Sequence, residues 1–165
     1  MKKLMMLIAT FLFAATAFAS PYDYASMAIE QQIMLFIGFL SIILGMFSSA
    51  YALTISLSAY AACDKVHKSS CFIPAVMPGS QGIYSFAIAF LMIQNMSSMP
   101  FQVCFAGMIC GFPCFFSAIG QAKTAAACIK SINNGSMDQG QALLATGVPE
   151  LYALTGLAGG FLMMV

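Results

Sequence analysis

Long apolar runs parted by short polar breaks make up most of this chain. The runs occupy residues 27–62, 71–96, 101–131 and 139–165, and the breaks read CDKVHKSS (63–70), NMSSMP (95–100) and INNGSMD (132–138). Each run can cross a hydrocarbon core, for which about 20 residues in a helix suffice. The short segments of alternating hydrophobicity that mark barrel strands are missing from it. The pattern predicts an all-α membrane protein built as two tandem transmembrane helical hairpins, four helices in all, with the first hairpin in 20–96 and the second in 97–165.

The opening MKKLMMLIATFLFAATAFAS has a different form. Lys2 and Lys3 precede a short apolar run that ends in Ala-Phe-Ala before Ser20. Those three parts predict a signal peptide over residues 1–19, cleaved after Ala19. The competing reading is an uncleaved first membrane helix, but the run is short for a span. No cysteine stands just past the cleavage point to carry a lipid anchor. Cleavage places the mature N-terminus outside the cytoplasm.

Composition strengthens the membrane reading. The chain is 61% hydrophobic and only 7% charged, where soluble domains carry roughly 25% charged residues. With so few charges it cannot cover a water-facing surface. The formal net charge is +1, with no arginine and no basic run, so nothing points to nucleic acid. Beyond the leader, Lys65 and Lys68 fall in the first break and Lys123 and Lys130 near the third, while the middle break has none. The positive-inside rule then places the first and third connections in the cytoplasm and both mature termini outside it, as in a multi-pass protein of the cell (inner) membrane. The exported leader and the lysine asymmetry give the same topology.

One charge breaks the last apolar run. Glu150 sits in GVPELYALTG (147–156), with Asp138 the nearest other acid and no charge after it. A carboxylate at the centre of a membrane helix costs about 2.5–3.5 kcal/mol on insertion scales, and such residues usually face a protein interior and mark ion or proton paths. A protonated glutamate making an interhelical hydrogen bond is the plainer alternative. A neutral glutamine would serve that purpose without the risk of ionisation, so the functional reading leads. Placing Gly79 on Glu150 aligns PGSQGIYSFAIAFLM (78–92) with PELYALTGLAGGFLM (149–163) without a gap, matching Pro78 to Pro149 and FLM to FLM. Two hairpins of one orientation imply a duplication. The carboxylate position is glycine in the first copy, which leaves one site per pair of hairpins.

Polar groups in the other apolar runs are the candidate companions. PGSQGIY offers Ser80, Gln81 and Tyr84, and SAIGQAK offers Gln121. Ser80 and Tyr84 stand four apart on one helix face, with Gln81 beside them. Taken singly, Ser80 reads equally as a helix back-bond and Tyr84 as packing. Together with Glu150 they offer more oxygens than a proton needs, and carboxylate, amide, hydroxyl and backbone oxygens suit a hard cation. Pro78 and Pro149 each remove a backbone donor and favour a kink.

The segments PGSQGIYSFAIAF, SAIGQAKTAAACI and PELYALTGLAGGF resemble those of the four-transmembrane-helix proteolipid of bacterial V/A-type rotary ATPases, known as subunit K or the duplicated c subunit. The resemblance covers most of the mature chain and is strongest from about residue 72. It implies a rotor ring of many copies that turns against a stator as ions pass. In sodium-pumping members it implies an ion held by Glu150, Gln81, Gln121, Ser80 and the backbone carbonyl of Met77, with Tyr84 hydrogen-bonded to the glutamate. It further implies a stator subunit bearing a membrane arginine, and central-stalk subunits at the cytoplasmic loops 63–70 and 131–138. No cofactor is implied, only Na+ or H+ as cargo. The chain departs from the family at Pro149, at Ser80 where threonine is usual, and in the first helix, where FSSAYALTISLSAYAA lacks regular glycines. No phosphate loop of the GxxxxGK[ST] type occurs, so ATP chemistry falls to other subunits and this chain is no enzyme. A stand-alone small transporter or a structural four-helix membrane protein is the alternative.

The six cysteines form no CxxC; Cys110 and Cys114 stand four apart, and Cys63 and Cys71 flank the first break. Packing is the expected role for them, and the lone His67 in that break gives no metal-ligand pattern. The glycines of GMICG (107–111) and GLAGG (156–160), four apart, allow close helix contact.

Overall fold

A computed structural model describes residues 27–165. The leader expected over 1–19 lies outside the described residues. In chain order the elements are α1 (Ile29–Ala61), α2 (Lys68–Val76), a 3-10 turn (Met77–Gly79), α3 (Ser80–Asn95), α4 (Pro100–Asn133) and α5 (Gln139–Leu162). The second leg of the first hairpin is therefore α2, the turn and α3 in succession. All regular structure among the described residues is helical.

Three legs are long and apolar enough to cross a membrane: α1 with 33 residues, Lys68–Asn95 with 28 and α4 with 34. The fourth, α5, has 24 residues, about 36 Å at 1.5 Å per residue. Gln139, Gln141, Thr146, Glu150 and Thr155 interrupt its apolar run. Local chemistry sets the ends. Pro100 opens α4, where its missing N–H costs nothing. Asp138 caps α5 in a capping box: its Oδ1 accepts from the Gln141 N–H at 2.8 Å, and its own N–H donates to Gln141 Oε1 at 3.2 Å. The turn between α4 and α5 passes through Gly135 at φ 70°, a left-handed backbone that glycine enters without penalty.

The first and third connections meet at one end of the molecule. Asn133 Oδ1, at the end of α4, accepts from the Asp64 N–H at 2.8 Å and from Cys63 Sγ at 3.4 Å. At the opposite end Met96, Val103 and Met164 share one core cluster with Leu35, and Met27 packs against it. The first connection, with Lys65 and Lys68, and the third, just past Lys130 in the last turn of α4, thus lie on one side of the bundle.

Helix α4 is the centre of the bundle, with α1 on one side and α5 on the other. Its contact with α1 is made by backbone. A Cβ at Gly107 would lie 2.4 Å from Gly38 O, and one at Gly111 2.3 Å from Ser41 O. The contact with α5 is similar, since Gly156 faces Pro113 and the Ile109 carbonyl, and Gly160 faces the Ala106 carbonyl. Such approaches hold helices together where lipid removes the hydrophobic drive. The glycine-poor stretch of α1 meets the bundle with other small residues, because Ser48, Ser49, Ala52 and Ser56 are all buried.

The interior falls into three layers. Leu35, Ile42, Ile88, Met92 and Val103 fill one end, and Cys71, Ala75, Ile129, Ile132 and Ala142 fill the other. Between them lie Ala52, Ala118 and Ala122 together with the buried polar side chains Gln81, Gln121 and Thr146. Outside, Phe36, Phe90, Phe116, Leu144 and Leu151 are exposed, so the surface is apolar as the composition demands.

Gly111→Ala is expected to destabilise the extracted protein by about 1–3 kcal/mol, the usual cost of overpacking, because the intruding methyl meets backbone at Ser41. Gly120, with nothing within 4 Å of a Cβ, is expected to gain about 0.5–1 kcal/mol as alanine from helix propensity. Unfolding midpoints in detergent compare the two, and an equal loss in both would contradict the backbone contact.

Candidate functional site

The polar layer is organised around Glu150. Three helices and the 3-10 turn supply its surroundings, and every side chain singled out in the sequence reaches it. Pro78 has no N–H, so the α-helical ladder of the second leg is interrupted and Met77–Gly79 winds as a 3-10 turn. The turn ends with the Ser80 N–H donating to the Met77 carbonyl. Helix α3 then starts at Ser80, so that Ser80, Gln81 and Tyr84 occupy its first turn and a half, facing α4 and α5.

Glu150 Oε2 accepts from Ser80 Oγ at 2.8 Å, from Gln81 Nε2 at 3.0 Å and from Gln121 Nε2 at 2.9 Å. Its Oε1 accepts from the Tyr84 hydroxyl at 2.6 Å. Ser80 Oγ also lies 2.8 Å from the Met77 carbonyl, so a single hydroxyl hydrogen faces two acceptors. The two glutamines pair directly, Gln81 Nε2 donating to Gln121 Oε1 at 2.6 Å. Gln121 Nε2 also donates to the Thr146 carbonyl at 2.8 Å. Gln81 and Gln121 are fully buried, whereas Glu150, Ser80 and Tyr84 are half-buried.

One oxygen in this arrangement is unsatisfied. Gln81 Oε1 is buried and has no hydrogen-bond partner among the described residues. A buried polar atom left alone costs about 1–3 kcal/mol, and in native proteins such atoms call for an explanation, an ion among them. Here the orphan belongs to a residue whose amide already touches the carboxylate. The oxygens gathered are a carboxylate, two amides, a hydroxyl and a backbone carbonyl, which are the donor types that hard cations take. The seat is also close to the outside. On either side of Glu150 along α5, Val148, Leu151 and Tyr152 are exposed.

Two contributors were not singled out in the sequence. Thr146 lies four residues before Glu150 on the same face of α5, so helical spacing from the glutamate would have found it. Its carbonyl holds Gln121, and its own hydroxyl donates to the Ala142 carbonyl at 2.8 Å with Met77 Sδ at 3.2 Å. Ser49 of α1 donates to the Pro78 carbonyl at 2.8 Å, and no local signal in the sequence distinguishes it from the other serines of that helix. The two prolines act differently. Pro78 lies in the 3-10 turn, whereas α5 continues as an α-helix through Pro149. The aligned Gly79 lies against Leu53.

No hydrogen bond joins a cysteine to the carboxylate among the described residues. Cys63 and Cys71 stand 3.2 Å apart, sulfur to sulfur, beside the first connection. Cys110 and Cys114 sit within α4, with Cys110 Sγ 3.9 Å from the Tyr84 carbonyl.

Residues 104–163 match the family model for the C subunit of ATP synthase, a stretch that contains both Gln121 and Glu150. The V-type sodium ATPase subunit K of Enterococcus hirae is 30% identical over 95 residues, covering 54% of this chain and 61% of that relative. The match thus spans about three fifths of the relative's length. In sequence the chain resembles the c/K-type proteolipids, and V-type ATPase subunit K among them, with the ATP synthase match lying across α4 and α5.

Proposed function

We propose that the chain is an ion-translocating rotor-ring subunit of a V-type ATPase membrane sector, and that Na+ is the ion carried on Glu150. The observation that supports this best is the unpaired, buried Gln81 Oε1 beside a carboxylate already surrounded by Ser80, Gln121 and Tyr84. A proton needs only the carboxylate and a hydrogen bond or two. It would leave the buried Gln81 amide oxygen without a partner. The name of the matched relative, a sodium ATPase subunit, supports the same cargo, and H+ is the alternative that the test below separates.

The mechanism follows from charge. With Na+ on the site, the carboxylate is neutralised and the rotor can turn with this face toward lipid. When the ion leaves, the bare carboxylate must meet water or a stator cation, because an unpaired charge in hydrocarbon is costly. Glu150 is half-buried beside exposed Val148 and Leu151, which suits exchange from the side. On this reading the two hairpins of 20–96 and 97–165 are a duplication that keeps one carboxylate. The copies form a homo-oligomeric ring in the cell membrane, a neighbouring stator protein supplies the membrane arginine, and the connections at 63–70 and 131–138 face the central stalk. The chain itself is non-catalytic, and ATP is hydrolysed or made by other subunits.

A carbodiimide is expected to label Glu150 in membranes, and millimolar sodium to slow the labelling, read by mass spectrometry of the peptide. Glu150→Gln removes the label altogether. Labelling indifferent to sodium would assign the site to protons, and mild extraction that yields only monomers or dimers would end the rotor reading. Gln121→Ala is expected to raise the sodium concentration that half-protects Glu150 by about tenfold or more, because it removes one oxygen and frees the Gln81 amide at once.

A further inference from the structure

Carbonyls around the Met77–Gly79 turn are held from outside their own helix. Ser49 Oγ of α1 donates to the Pro78 carbonyl at 2.8 Å, and Ser56 Oγ donates to the Ala75 carbonyl at 2.6 Å. Both serines are buried. They stand two turns apart on one face of α1, and Leu53 between them lies against Gly79, 3.2 Å from where a Cβ would be. Gly82 continues the contact, since a Cβ there would come within 3.0 Å of Ser49 Oγ. Thus Ser49, Leu53 and Ser56 grip the turn from Ala75 to Gly82. None of them touches Glu150.

We infer that Ser49, supported by Ser56, is a positioning residue for the cation seat, an inference that rests on the ion-carrying reading of Glu150. The reason is backbone geometry. Peptide units are planar, so fixing the Pro78 carbonyl fixes the whole plane between Pro78 and Gly79. The proline ring locks φ at Pro78 near −65°, so ψ of Pro78 is the one soft torsion left between that plane and the preceding one, which carries the Met77 carbonyl. Ser80 follows two residues later and carries the hydroxyl that bridges Met77 O and Glu150 Oε2. Without the α1 hydroxyl, a 3-10 turn has weaker internal bonding and the Pro78 carbonyl lacks a partner in an apolar interior. The turn then relaxes, and two of the oxygens that meet the cation move with it. The first helix, which contributes no side chain to the carboxylate, acts on the seat through the backbone of the second leg.

Sodium protection of Glu150 against carbodiimide tests this in intact rings. Ser49→Ala is expected to raise the half-protecting sodium concentration about tenfold, the lower end of what outer-shell substitutions cost a metal site, while leaving labelling without sodium unchanged. Ser49→Thr keeps the hydroxyl and is expected to restore the wild-type value. Ser48→Ala is the control, because Ser48 is buried beside Ser49 but its hydroxyl bonds its own helix at Gly45 O, 2.8 Å away. Ser56→Ala is expected to give a smaller rise of about threefold, as Ala75 lies one step further from the seat, and it decides the matter should Ser49→Ala fail to assemble. Wild-type labelling that ignores sodium sinks the cation reading. Wild-type protection that persists unchanged in Ser49→Ala, or in Ser56→Ala if the first variant does not assemble, overturns the positioning role alone.

Discussion

A carboxylate inside an apolar bundle is the constraint on which the rest of this structure depends. Burying a charge without partners costs several kcal/mol even after relaxation, so Glu150 can exist here only if other helices deliver donors to it. They do so from Ser80, Gln81 and Tyr84 on α3 and from Gln121 on α4. Every one of these hydrogen bonds crosses between helices, so helix positions must hold to within a few tenths of an ångström. Apolar clusters above and below the polar layer keep its interior dry enough for those bonds to matter.

Backbone proximity supplies the required precision. Gln121 reaches Gln81, Thr146 and Glu150 together because α4 is pressed against both neighbours. Gly107 and Gly111 admit α1, and Gly156 and Gly160 let α5 approach. Larger residues at these points would push the helices apart and break the amide bridge before touching the carboxylate. The 3-10 turn completes the arrangement, since its Met77 carbonyl accepts from the same Ser80 hydroxyl that meets Glu150.

Much of this was legible in the sequence, and the limits have physical causes. The four legs were visible because lipid demands unbroken apolar length, and their observed ends lie within a few residues of the polar breaks. Glu150 stood out because charge is expensive there, and Ser80, Gln81, Tyr84 and Gln121 because they are polar interruptions at helical spacing. The behaviour of the prolines was not visible. Pro74 and Pro78 stand four apart, so the missing N–H of Pro78 falls on the carbonyl of Pro74 and successive turns of one face lose a bond. Pro149 is the single proline of α5, and that helix passes through it. The serines of α1 were equally opaque. Ser58 bonds its own helix and is exposed, whereas Ser49 and Ser56 reach across to the broken leg. Residue type is the same in all three, and only the position of a neighbouring helix tells them apart.

The choice of partners around Glu150 also carries information about how the site works. A lysine or arginine beside the carboxylate would stabilise its charge permanently and repel an arriving cation. Amides and hydroxyls are ambivalent: each offers a donor to a bare carboxylate and an oxygen to a cation. Gln81 shows both ends at once, its nitrogen on Glu150 Oε2 and its oxygen unpaired and buried. Gln121 Oε1 is held by the Gln81 amide, and a flip of about 180° about the terminal torsion of either amide exchanges which atom faces the carboxylate. On the proposed ion-carrying reading, two occupancy states can share one backbone frame, and that frame would have to be rigid while the side chains switch. The glycine contacts along α4 and the serine grip of α1 on the 3-10 turn place that rigidity where the adaptable groups are attached.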